Sequence, residues 1–198
     1  ISQNGVNIFY DAVGKYNLSE MAHRFLAGVL YHGDALCLVF NPSVNAYRRL
    51  DPRFEAPNEI KVSPSDRGSM IRIPIGNAKS ARIEVRTVAP DANPYLCYYL
   101  ILKAGLKGVN ADEGTFSQYS AVLTGPVRKL AGTIYEALYA FRQSAFIKEA
   151  MGALNFTKFA ELKESAAHRC PAALGTRVKS SEVWYHHEVR NQVLWNQF

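Results

Sequence analysis

Two short segments of this chain set charged side chains where they could act together. Ser69, Ile71, Ile73 and Ile75 alternate with Met70 and Arg72, and Ala81, Ile83 and Val85 alternate with Arg82, Glu84 and Arg86. Successive side chains of an extended chain point to opposite faces, so the second segment places Arg82, Glu84 and Arg86 on one face. Beside a strand carrying Arg72 they make a basic groove with an embedded carboxylate. Guanidinium groups are planar, permanently charged and bidentate toward phosphate, and residues 41–90 favour them, with Arg48, Arg49, Arg53, Arg67, Arg72, Arg82 and Arg86 against Lys61 and Lys79. Mg²⁺ takes oxygen ligands, usually one or two carboxylates plus phosphate oxygens and water, which makes Glu84 a candidate metal ligand in a phosphate-transfer site. One carboxylate alone makes no such site. The plainer reading of the same residues is a set of surface ion pairs, which contribute little.

The elements that must carry these residues follow from the flanking pattern. Leu18, Met21, Phe25, Val29 and Leu30 recur at helical spacing, with Asn17 placed to cap and Glu20 three residues on, which predicts an amphipathic helix within 18–40. Asp91 or Asn93 can cap a further helix through Leu96, Leu100 and Leu106, with Pro94 in its first turn and Gly105 and Gly108 ending or loosening it. Residues 109–127, rich in Gly, Ser and Thr, read as a surface loop. Helices are expected at about 128–150, 154–167 (entered by Asn155) and 181–197 (entered by Ser180 or Ser181). The fold class is α+β: a few mostly antiparallel strands over 57–87, part of a curved sheet backed by helices, in one domain spanning 1–198.

Bulk properties narrow the function classes. The chain has 198 residues, 48% hydrophobic and 20% charged, so it is globular in composition and can bury a core of its own. Lys and Arg number 23 against 17 Asp and Glu, a net charge of +6 that suits an anionic ligand. Cys37, Cys97 and Cys170 are widely spaced, form no CxxC pair and point to a reducing compartment, the cytoplasm. No apolar run is long enough for a membrane span. The start, ISQNGVNIFYD, has neither the basic nor the apolar region of a signal peptide and reads as an incomplete beginning. Nucleic acid is disfavoured because Tyr47, Phe54 and Tyr95 lie at the margins of the basic region and the alternating segments hold no aromatic platform. His186 and His187 are adjacent, do not share a helix face and form no chelate pair.

The strings NPSVNAYRRLDPRFEAP, DRGSMIRIP and KSARIEVRTVAPDANPYL, in that order, resemble the C-terminal catalytic half of glutamine synthetase, with weaker similarity through LSEMAHRFLAGVLYHGDAL, AGLKG and RKLAGTIYEAL. The resemblance implies a ligase that phosphorylates the side-chain carboxylate of glutamate with ATP, after which ammonia displaces the phosphate to give glutamine. By motif, Arg49 matches the arginine that holds glutamate, and Glu55 the flap glutamate that shields the acyl phosphate and takes a proton from ammonium. Arg67 and Arg72 match the pair gripping the ATP phosphates, with Lys79 and Arg82 on the nucleotide side. Glu84 matches a Mg²⁺ (or Mn²⁺) ligand, and Arg86 the arginine that neutralises the transferring phosphoryl group or the substrate carboxylate. Phosphoryl transfer asks mainly for charge neutralisation and alignment, which convergent arginines supply. An ionised Glu55 fits its role, because surrounding arginines favour the charged form.

Departures from the family pattern matter as much. Asp66-Arg67-Gly68 stands where the family usually reads NRS, keeping the arginine and altering the hydrogen bonding around it. Tyr119 lacks the flanking pattern of the tyrosine at which some bacterial members are adenylylated. The β-grasp domain and the strands that supply most of the family's metal carboxylates do not precede Ile1, so the chain as it stands is expected to be inactive. The family assembles as double rings, implying a homo-oligomer. Relatives ligate glutamate to methylamine or polyamines, and a non-catalytic module that binds nucleotide or a partner is the other reading; neither is excluded by these residues.

Overall fold

A computed structural model describes residues 1–50 and 56–168. The chain opens with a tight hairpin, β1 (Ser2–Gln3) against β2 (Val6–Asn7), turned by Asn4 and Gly5, both at positive φ. Asn-Gly is the pair a two-residue hairpin turn of this handedness selects. A 3₁₀ turn at Lys15–Asn17 follows, with Tyr16 and Asn17 in the left-handed region.

Helices α1 (Glu20–Tyr31) and α2 (Gly33–Phe40) form the first buried layer. The single predicted helix is broken at His32, whose N–H closes α1 onto Gly28 O while the chain restarts into α2. The N-cap of α1 is Ser19, not Asn17: the Ser19 side chain accepts from Ala22 N, and Asn17 points elsewhere. Helix α2 is buried along nearly its whole length, which suits its almost uninterrupted apolar sequence. Helix α3 (Val44–Arg49) is capped by Ser43 and ends in Arg48 and Arg49, cations placed at the negative end of the helix dipole.

The sheet has the order β5-β4-β3-β6, formed by β3 (Glu59–Ser63), β4 (Ser69–Arg72), β5 (Glu84–Val85) and β6 (Arg128–Lys129). Pairs β4–β5 and β3–β6 are antiparallel; β3–β4 is parallel with a register shift between Glu59 and Val62. The expected alternation holds only in part. Met70 is as fully buried as Ile71, because β4 lies between two strands with packing on both faces, and Ile75 is 76% exposed because Pro74 ends the strand.

Helix α4 (Pro94–Val109), capped by Asn93 onto Leu96 N, crosses α1 at very short range. A Cβ added at Gly28 would lie 2.3 Å from Ala104 O, and one at Gly108 2.0 Å from Arg24 O. Gly105 and Gly108 therefore do not end the helix; Gly108, with Gly28, lets two backbones touch, and Gly105 makes room for the Phe25 ring. Residues 109–127 are not a loop either. Asp112 caps α5 (Glu113–Thr124), which packs on α1 through Tyr119 against Tyr31 and Arg24 over Phe116. That packing overrides a locally polar sequence. In place of one helix at 128–150 stand β6, α6 (Ile134–Gln143) and α7 (Ala145–Met151), divided at Ser144, followed after Gly152 at φ 75 by α8 (Ala153–His168). The helix expected at 181–197, with His186, His187 and Cys170, lies outside the described residues.

Candidate active site

The antiparallel register of β4 and β5 sets Arg72 opposite Glu84 and Ile71 opposite Val85. Side chains of directly opposed residues lie on the same face, so Arg72 Nη2 reaches Glu84 Oε2 at 2.9 Å, while Arg82 Nη2, two residues along on that face, lies 3.6 Å from the same oxygen. The carboxylate is thus held between two guanidinium groups at the edge strand of the sheet. Both partners of the closer pair are about one-third exposed. Arg72 Nε is buried without a hydrogen-bond partner, an unmet donor next to the open face.

A second group forms at the other end of β5. Arg86 N donates to Met70 O at 2.9 Å, continuing the ladder, and its Nη1 donates to the backbone carbonyl of Arg67 in the β3–β4 turn. Arg49 reaches across from the end of α3, donating to Thr87 O at 2.9 Å and to Arg86 O at 3.5 Å. Partial desolvation, with the like charge of Arg86, lowers the pKa of Arg49 from its ordinary value. Next to this group, Lys61 bridges Asp66 (2.7 Å) and Glu59 (2.5 Å), and Lys129 bonds Glu59 at 2.6 Å. Asp66, held by the hydrogen bond from Lys61 and by Gly68 N–H, titrates below the usual carboxylate range. The DRG turn is therefore stapled to β3 by charge, fixing the backbone from which Arg67 projects.

Lys79 stands apart from both. It sits on the loop joining β4 to β5, beside an open cleft of ≈560 Å³ that it lines with Ser2, Gly5, Asn7, Ala78 and Ala81. Glu55 lies outside the described residues. Of the residues singled out by sequence, the structure brings Arg72, Arg82 and Glu84 into contact, links Arg49, Arg67 and Arg86 through backbone carbonyls, and sets Lys79 at the cleft.

Sequence reasoning gives Asn7 no role, reads Asn17 as a helix cap and counts Lys61 only among the cations of the basic region. Asn7 and Asn17 hydrogen-bond the β4–β5 loop from the N-terminal segment, and the Asn4-Gly5 turn signal was the available clue that this segment has a defined shape.

The two implied ligands fare differently. A phosphate-bearing nucleotide fits the donor chemistry: arginines of β4, of the residues flanking β5 and of the β3–β4 turn, with one buried donor of Arg72 unmet. A metal does not fit these residues alone. Among the described residues no three His, Cys, Asp or Glu side chains group as a metal site, and Glu84 is engaged by two arginines.

Tyr119 is buried on a helix against Tyr31 and His32, at ring distances of 4.4 and 5.6 Å. Among the described residues no helix is long and apolar enough to cross a membrane.

The family profile described as "Glutamine synthetase, catalytic domain" matches residues 1–178. Curated glutamine synthetases from Thermus thermophilus and Halobacterium salinarum are each 37% identical to the chain, over 174 and 171 residues, 82% and 81% of it; one from Methanococcus voltae is 36% identical over 169 residues, 81% of it. A solved GmaS/ADP complex superposes with a TM-score of 0.64 at 29% identity, covering 80% of this chain and 38% of that one. The chain spans 37–38% of the length of these curated relatives.

Proposed function

Because this chain belongs to the glutamine synthetase catalytic-domain family, we propose that it is the C-terminal part of an ATP-dependent ligase that joins an amine to the side-chain carboxylate of glutamate. The γ-carboxylate oxygen attacks the terminal phosphorus of ATP, ADP leaves, and the amine nitrogen displaces phosphate from the acyl carbon, losing a proton. In this reading Arg67, Arg72, Lys79 and Arg82 bind the nucleotide phosphates, Arg49 holds glutamate, and Arg86 neutralises the transferring group. Glu55 takes the proton from the incoming ammonium. Glu84 would give one oxygen ligand to Mg²⁺ or Mn²⁺, an ion whose chemistry is to neutralise phosphate charge; among the described residues no three His, Cys, Asp or Glu side chains group to complete such a site.

The observation that carries the reading is the sheet edge itself. Arg72, Glu84 and Arg82 meet on one face of β4–β5, inside the segment that matches the family. Preorganised donors aimed at developing charge are a large contributor to phosphoryl transfer, and an arginine pre-oriented by a carboxylate loses little on binding.

Ammonia is the acceptor in the main reading, with glutamine as product; methylamine or a polyamine is the alternative. A solved structure similar to this fold is a GmaS/ADP complex, which supports a nucleotide site and leaves the acceptor open. Homo-oligomeric rings are proposed with the activity. Tyr95, Tyr98, Tyr99, Leu102 and Leu106 stand exposed along α4, an apolar face of the kind that assembly covers.

The test is an ATP-dependent γ-glutamyl hydroxamate assay on the gene product extended upstream of Ile1, followed by competition among ammonium, methylamine and a polyamine. Hydroxamate formation that requires ATP and glutamate supports the ligase. No product with any acceptor, together with tight ATP binding, leaves the non-catalytic nucleotide-binding module as the better account.

A further inference from the structure

The loop from Gly76 to Ala81 carries Lys79 and delivers the chain into Arg82–Arg86. Internally it is a compact turn: Asn77 Oδ1 accepts from Lys79 N at 3.0 Å and from Ser80 N at 3.2 Å, and Ala81 N donates to Asn77 O at 2.8 Å. Such a turn has a shape but no fixed place, because β4 ends at Arg72 and β5 begins only at Glu84. Its place is set from outside, by the N-terminal segment.

Asn7 Nδ2 donates to both Ala78 O (3.1 Å) and Ala81 O (2.9 Å), across more than seventy residues of sequence. Its Oδ1 accepts from Phe9 N at 3.1 Å, which fixes the amide so that both N–H groups face the loop. Asn17 Nδ2 donates to Gly76 O at 3.1 Å, at the loop's entry. Asn17 has φ 56 and follows Tyr16 at φ 59. Left-handed backbone at non-glycine residues costs free energy and persists only where surrounding structure holds it, and here its product is a side chain aimed at the far loop.

We propose that Asn7 and Asn17 are positioning residues for the β4–β5 loop, fixing where Lys79 stands relative to Arg82 and Arg86, which flank β5, so that the lysine at the cleft and these arginines serve one nucleotide. This rests on the nucleotide-side reading of Lys79 and Arg82 above. The three carbonyls they bind bracket the loop at both ends, so losing either asparagine releases Lys79 without touching the β4–β5 ladder.

The experiment uses the extended, active gene product, with Lys79→Ala in parallel. Asn7→Ala and Asn7→Asp both remove the donors, the second at constant size; each should raise the KM for ATP about tenfold, as expected for two lost hydrogen bonds. Asn17→Gly removes one donor while relieving the backbone, and should raise it roughly threefold. The KM for glutamate and the Tm should stay near wild type, and amides of residues 77–82 should exchange faster in the nucleotide-free variants. Unchanged ATP KM in the asparagine variants while Lys79→Ala weakens ATP overturns the positioning role. A Tm drop with both KM values rising together also overturns it, in favour of a general structural role. If Lys79→Ala leaves ATP KM unchanged, the nucleotide-side reading has failed, and this inference falls with it.

Discussion

The crossing of α1 and α4 and the edge formed by β4 and β5 are built on opposite rules. At the crossing, Gly28, Gly105 and Gly108 bring backbone to within contact of backbone or of the Phe25 ring, and no atom can be added. At the sheet edge, Arg72, Arg82 and Glu84 are one-third to one-half exposed, held by charge and by a two-residue strand. Close packing transmits every added methyl into strain, whereas half-solvated ion pairs are screened and cost little to remove. The helical layer thus sets stability, and the sheet edge is left free to serve a ligand.

The comparison can be broken most sharply at the crossing. Gly108→Ala drives a Cβ into Arg24 O and should cost about 3 kcal/mol or more, lowering Tm by roughly 6–12 °C in thermal denaturation followed by circular dichroism. A loss under about 0.5 kcal/mol would mean the crossing has slack.

His32, at the α1–α2 junction, gives the next effect. Its ring stacks on Phe146 at 4.1 Å and packs edge-on to Tyr31, with Nε2 buried and unpartnered; burial, then the charges of Lys107 and Arg128, push its pKa down to about 4. The folded state holds the ring neutral while the unfolded chain takes up a proton below about 6.5, so stability is present above that pH and declines as pH falls toward about 4. The decline should reach about 2–3 kcal/mol, and His32→Phe, which keeps the stack, should flatten this part of the urea-unfolding profile.

At the sheet edge the expected pattern reverses. Glu84→Gln should change folding stability by less than about 1 kcal/mol while cutting ligase turnover of the extended enzyme by about a hundredfold. Equal losses in stability and turnover would make Glu84 a structural residue. Smallest of all, Asp66→Asn removes one bond to Lys61 on a largely exposed turn and should cost about 0.5 kcal/mol or less near neutral pH. Because Asp66 titrates low in the fold, its contribution is present above the unfolded carboxylate pKa and fades as pH drops through the folded one, so variant and parent should converge in acid.

Much of this was legible along the chain. The alternation at 82–86 announced that Arg82 and Glu84 share a face, and the contacts at Glu84 Oε2 follow that register. Asn93 and Pro94 marked the start of α4. What failed were readings that treated local composition as final. Gly and Ser at 114–120 suggested a loop, yet α5 forms because α1 offers Tyr31 and Arg24 to pack against. Glycines at 105 and 108 suggested a helix end, yet their missing side chains serve a partner about eighty residues earlier in sequence.

By itself the sequence determined the helical periodicities, the Asn93 cap of α4 and the charge types of the basic face, since these depend on neighbours within a few residues. It also carried the family, through motif order and spacing. The tertiary structure alone decided which arginine meets Glu84 most closely, how near α1 and α4 approach, and that Asn7 and Asn17 grip a loop more than fifty residues away. Contacts of that range have no local signature: they exist only once the chain has closed on itself, and the free energy that favours them is shared across the whole packed core.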